Sequence, residues 1–144
     1  MKKFISVILM ALLVATLTFP AFAAEPPASR DNSIPIHSDY VNIRLLQAGL
    51  AIDSSGRASC TGRVTLYSNS NTANLTLALQ KYTGSGWSTI KTWTASARGT
   101  TPTSVVKFYY VARGQYRVST TAKIYNSSGT LLETQIVYSA TKNY

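Results

Sequence analysis

Leu75, Leu77 and Leu79 alternate with Thr76, Ala78 and Gln80, the two-residue period of a strand with one buried face. The glycine-punctuated stretch Thr83–Gly86 follows, and a second run, Trp87–Trp93, then carries both tryptophans of the chain. Two such runs around a short Gly-containing loop read as a β-hairpin. It holds the heaviest apolar side chains, so it is expected to lie in the middle of the core. Trp87, Ile90 and Trp93 recur every third residue, closer to a helical period. Seven residues are too few for a stable helix, however, and the flanking Ser and Thr favour a strand. A bulge would bring Ile90 onto the face of the tryptophans.

The same alternation runs through the rest of the chain. Tyr40–Ile52 changes parity at Leu45–Leu46, which implies a bulge or a strand that changes sheets. Asp53–Gly56 is a turn, and Arg57–Tyr67 a strand whose small residues Ala58, Cys60 and Gly62 suit close sheet contact. Ser68–Ala73 reads as a polar loop and Ala95–Ser104 as the longest loop of the domain. Val105–Val111 is apolar on both faces. Gln115–Tyr125 alternates cleanly, with Tyr116, Val118, Thr120, Ala122 and Ile124 inward and Arg117, Ser119, Thr121, Lys123 and Tyr125 outward. Asn126–Gly129 is a hairpin turn, Leu131–Ala140 the last strand, and Thr141–Tyr144 a trailing end. Seven strands at regular spacing with no helical segment predict an all-β fold, a single antiparallel β-sandwich of immunoglobulin-like type. The Tyr of Gly114-Gln115-Tyr116-Arg117-Val118 stands where such sandwiches place a Tyr that hydrogen-bonds back to a neighbouring loop. The cysteine pair of antibody domains is absent.

The first residues belong to a different pattern. Met1-Lys2-Lys3 is positive, Phe4–Phe19 is almost wholly apolar, and Ala21-Phe22-Ala23 supplies small residues for cleavage. That order predicts a signal peptide over residues 1–23 and hence a secreted, extracellular protein, cell-wall associated or free. Residues 24–39, with Pro26, Pro27 and Pro35, read as a flexible linker. The β-sandwich is expected over residues 40–144. The mature chain is therefore expected to contain no integral membrane segment.

Beyond Ala23 there remain 12 Lys and Arg against 5 acids, a net charge of +7. The cations are scattered, with no run that makes a nucleic-acid arm, and no nucleic-acid partner is expected. An anionic surface, such as a cell-wall polymer, is the expected target of such a charge, with a protein as the other partner considered. Cys60 is the only cysteine. Its parity with Ala58, Gly62, Val64 and Leu66 places it inward as an inert thiol, an intermolecular disulfide being the alternative. Acid–base hydrolysis needs paired carboxylates, or a His beside a nucleophile. Glu25, Asp31, Asp39, Asp53 and Glu133 form no pair, and His37 lies in the linker. Metal sites need clustered ligands. The expectation is a non-enzymatic protein with no cofactor, no metal and no catalytic residue.

Aromatic rings are the remaining handle. The chain holds 9 Tyr and 2 Trp, and exposed rings on a secreted sandwich can stack on sugars. Tyr82, Trp87, Tyr109, Tyr110 and Tyr125 are the candidate ligand-binding residues if they face water; the competing reading has both Trp filling the core. Two functional readings result: surface contact with an anionic envelope polymer or a protein, and a carbohydrate-binding module.

Leu79-Gln80-Lys81, Trp87, Trp93, Gly114-Gln115-Tyr116-Arg117-Val118, Glu133-Thr134 and Tyr138-Ser139 together resemble a family of small secreted proteins of Gram-positive bacteria with no assigned function. The resemblance spans Tyr40–Tyr144. It implies a secreted β domain and brings no activity, ligand or site residue.

Overall fold

The computed structural model describes residues 40–144. The expected signal peptide, the linker and His37 lie outside the described residues. Alternation builds eight strands and no helix there. They are β1 (Ile43–Ile52), β2 (Arg57–Leu66), β3 (Thr72–Tyr82), β4 (Trp87–Arg98), β5 (Thr103–Tyr110), β6 (Gln115–Tyr125), β7 (Leu131–Tyr138) and β8 (Lys142–Asn143). One sheet has the order β1-β2-β5; the other has β4-β3-β6-β7, with β8 also on β6. Every pairing is antiparallel. Two sheets whose strands interleave this way in sequence form an immunoglobulin-type Greek-key sandwich.

The inner faces follow from the parity of the central strands. In β2, Ala58, Cys60, Val64 and Leu66 are buried; in β3, Ala73, Leu75, Leu77 and Leu79; in β6, Tyr116, Val118, Ala122 and Ile124. One cluster joins Ile43, Leu46, Val64 and Leu66 to Leu75, Ala122 and Ile124. A second joins Leu50, Ala58 and Cys60 to Leu77, Leu79, Tyr116 and Val118. Full burial of each large aliphatic stabilises the fold by ~1.5–3 kcal/mol. Gly62 lies at the waist between the clusters. A Cβ there would stand 2.9 Å from Leu77 Cδ1 and 3.1 Å from Thr120 Oγ1, so the sheets approach closely because this residue has no side chain. Thr120 is fully buried, and its hydroxyl has no partner.

Tyr116 is buried at the start of β6, and its hydroxyl donates to the Ala112 carbonyl at 2.8 Å. This is the backward Tyr contact expected of the fold. The change of parity in the first strand is a bulge between Ile43 and Leu45.

Four details differ from the sequence reading. The hairpin Leu75–Trp93 is not central as a whole: β3 is, but β4 is the outermost strand of its sheet, so both tryptophans are only half-buried. The region expected to be the longest loop is mostly strand, because β4 continues to Arg98 and β5 begins at Thr103. Part of the expected loop Ser68–Ala73 is also strand, since β3 begins at Thr72. The chain end does not trail off: Gly114 and Tyr144 exchange two backbone hydrogen bonds of 3.0 and 2.9 Å, and β8 extends the sheet.

The outer strands carry polar groups at inward positions. Lys91 lies opposite Leu79 on β4, Lys107 opposite Cys60 on β5, and Glu133 and Gln135 opposite Ile124 and Ala122 on β7. Charged residues aimed inward at a sheet edge oppose pairing with further strands.

Candidate functional site

The bulge in β4 decides which face the rings occupy. Leu79 pairs with Lys91 and Gln80 with Thr89, leaving Ile90 as the extra residue. Because strand parity is two, one inserted residue reverses the face of everything beyond it. Trp93 stays opposite Leu77, facing the core, whereas Trp87 lies opposite Tyr82 on the outer face. The expected bulge is present, but it separates the two tryptophans, and Ile90 remains exposed.

On that outer face β6 presents Arg117 directly opposite Gln80. Tyr138 of β7 is diagonal to it, being opposite Ser119. The register therefore brings one guanidinium between two rings: Arg117 Cζ lies 4.4 Å from the Trp87 ring centre and 4.1 Å from that of Tyr138. Arg117 Nε donates to Gln80 Oε1 at 2.8 Å, and Gln80 Nε2 donates to Thr89 Oγ1 at 3.4 Å. The Nη groups of Arg117 have no protein partner among the described residues. Tyr82 packs on Trp87 at 5.4 Å, tilted by 55°, and its hydroxyl donates to the Gly84 carbonyl at 2.9 Å. A cation over an exposed ring gains ~0.5–1 kcal/mol, more when desolvated. Such a contact orients the guanidinium without cancelling its charge.

The surroundings do not cancel it either. The described residues hold eleven Lys and Arg and two acids, Asp53 and Glu133. Neither acid lies on this face. Glu133 takes an inward position on β7 and accepts from the Asn42 N–H at 2.7 Å. Asp53 is in the β1–β2 turn, where the Ser55 hydroxyl and the Arg57 N–H hold its carboxyl below the usual range. Among the described residues no Lys or Arg forms an ion pair with a carboxylate. Rings take that place elsewhere too: Arg57 lies 3.9 Å from the Phe108 ring centre and Arg113 4.7 Å from that of Tyr144.

Hydroxyls and amides fill the rest of the face. Thr94, Thr76 and Thr121 form one cross-strand row, and Thr92, Ala78 and Ser119 the next. Between Asn74–Thr76 and Thr94–Ser96 lies an open depression of about 290 Å³, at the lower limit of ordinary ligand sites. Lys123 and Arg98 add cations; Lys123 is six residues from Arg117 on β6, or ~20 Å along a strand.

The five rings singled out from the sequence divide among three surfaces. Tyr82 and Trp87 meet, and Tyr125 shares their face at its other end. Tyr110 is on the outer face of the three-stranded sheet, 69% exposed. Tyr109 lies opposite Ala58, on the inward side at the open edge of β5. Gln80, Arg117 and Tyr138 were named for the family resemblance but not as ligand-binding candidates. Gln80 and Arg117 had outward parity, but their meeting depends on the pairing of β3 with β6, two strands distant in sequence.

Cys60 is buried, and burial pushes its thiol up to about 11. Among the described residues there is no group of three His, Cys, Asp or Glu placed to hold a metal. No helix there is long and apolar enough to cross a membrane. No protein-family model matches the chain, and a search of curated proteins finds no relative.

Proposed function

We propose that the protein is secreted, is not an enzyme, and acts by surface contact with an anionic polymer of the cell envelope through the outer face of its five-stranded sheet. The observation that carries this reading is Arg117, held between Trp87 and Tyr138 with its Nη groups unpartnered and no acid on its face among the described residues. A stacked guanidinium keeps its planar donor fork for an oxyanion. The surrounding hydroxyls suit a polar, extended ligand. Co-sedimentation of the mature chain with purified cell walls tests it. Binding should fall as salt rises from about 0.05 to 0.5 M, because screening shortens from ~14 to ~4 Å. Strong binding that ignores salt rejects the charge-driven reading.

A second reading, a carbohydrate-binding module, is favoured by exposed Tyr82 packed on half-buried Trp87. It predicts binding to neutral glycans as well. Tryptophan fluorescence unmoved by neutral wall sugars rejects it.

A further inference from the structure

We infer that Arg117, Trp87, Tyr82 and Tyr138 form a subsite for one acidic sugar unit, a pyranose carrying an oxyanion. This inference rests on the anionic-polymer reading and specifies where, and through which atoms, the polymer is held.

The first argument concerns the guanidinium. Arg117 sits on β6, a central strand, and is half-buried. Its Cζ lies over two rings, at 4.4 and 4.1 Å, and its Nε donates to Gln80. The edge left open is the terminal one, where the two Nη groups form a fork for two oxygens of a single phosphate or carboxylate. An ordinary surface Arg spends rotamer entropy when it grips an anion. Here stacking and the Gln80 bond have already fixed the side chain, so binding costs less.

The second argument concerns what adjoins the fork. Tyr82 and Trp87 pack together on the outer face. They offer apolar ring surface beside the cationic edge. A pyranose presents C–H groups on one face and bears its charged group within a bond or two of the ring. Such a unit satisfies the fork and the rings together. A bare inorganic anion satisfies the fork alone, and a neutral sugar the rings alone.

The third argument is charge complementarity around the subsite. Lys123 and Arg98 lie on the same face, which holds no acid among the described residues, and this suits a chain carrying repeated anions. The outer face of the three-stranded sheet differs, because Asp53 borders the depression next to Arg57 and Phe108.

Isothermal titration of the mature chain with three defined oligosaccharides tests this: one bearing carboxylates, one bearing phosphates, and a neutral one of equal length. At least one acidic oligomer should bind ten times tighter than the neutral one and quench Trp87. Arg117→Met should lower that affinity at least tenfold and leave the neutral value within twofold. Arg117→Lys keeps the charge but loses the fork, and should recover less than a third of the loss. Arg57→Met, the matched change on the other face, should alter binding by less than twofold. Thermal melts confirm that each variant is folded. Acidic oligomers that bind wild type and Arg117→Met equally overturn the subsite while leaving the polymer reading in place. Acidic oligomers that bind no better than the neutral one, with no salt-dependent wall binding, overturn both.

Discussion

The central strands of the two sheets treat the core in different ways. In the three-stranded sheet the inner positions of β2 carry small or aliphatic groups, Ala58, Cys60, Gly62, Val64 and Leu66. Its outer face leaves Val106, Phe108 and Tyr110 in water, Phe108 at 51% exposure. The five-stranded sheet buries two hydroxyls on the inner face of β6, those of Tyr116 and Thr120, and covers its outer face with Thr, Ser and a ring-clamped Arg. One sheet supplies a flush inner surface on which the other can close. The other holds groups that need positioning, and positioning is what a ligand site requires.

The largest effect that separates the sheets is truncation in the core. Leu77 is 2% exposed on β3, flanked by neighbouring strands on both sides, while Leu50 is 8% exposed on β1, an outer strand. Leu77→Ala should destabilise by ~3–5 kcal/mol and Leu50→Ala by ~2–3, because a site at an edge collapses more easily around the lost volume. Urea denaturation of both variants checks the ranking, and equal losses would remove the distinction.

Next come the two hydroxyls, which should shift stability in opposite directions. Tyr116→Phe removes a part-buried hydrogen bond to the exposed Ala112 carbonyl, at a cost of ~0.5–1.5 kcal/mol. Thr120 has a buried hydroxyl with no partner, in a space bounded by Gly62, Leu75, Leu77, Trp93 and Val105 that is too small to admit a water. Thr120→Val keeps the shape and removes the desolvated oxygen, and should stabilise by ~1 kcal/mol. Thermal unfolding of the two variants beside wild type reads both signs. A destabilised Thr120→Val would mean that the hydroxyl finds a partner in solution.

How much of this was legible in the chain depends on the range of the interaction. Strands with a buried face announce themselves by alternation, as in Gln115–Tyr125, because parity is local. Inward Tyr116 was readable for the same reason, and so was the change of parity near Leu45, which alternation alone left as a bulge or a change of sheet. The far half of β4 and all of β8 were not, since an outer strand needs only backbone pairing and its side chains are free to be polar. The site was half legible. Tyr82 and Trp87 stood out as rings, but their partner Arg117 looked like one more scattered cation. Only the register of β3, β6 and β7 brings Gln80, Arg117 and Tyr138 together, and the displaced Ile90 puts Trp87 on their face. No short-range pattern encodes that register.

The smallest predicted effect lies in two turns that share one design, one on each sheet. Asp53-Ser54-Ser55-Gly56 joins β1 to β2, and Asn126-Ser127-Ser128-Gly129 joins β6 to β7. In both, the first side chain accepts from the N–H and hydroxyl of the Ser two residues on and from the N–H four residues on. Both end on a glycine at φ near +80°, 81° for Gly56 and 83° for Gly129, a region that other residues adopt at a cost. In the acceptor itself the turns differ in charge: an amide oxygen serves in one and a carboxylate in the other. The hydrogen bonds hold the Asp53 carboxyl below its ordinary 3.8. A depressed folded-state value means that ionised Asp53 favours the fold above about pH 4, and that this contribution is lost as pH falls through the carboxyl's folded-state value. Asp53→Asn should match wild type within a degree or two of Tm at pH 7. It should then lose less Tm than wild type between pH 5 and pH 2, because the amide stays an acceptor when the carboxylate no longer is. Parallel melting curves across that range would show that charge does nothing in this turn that an amide cannot do.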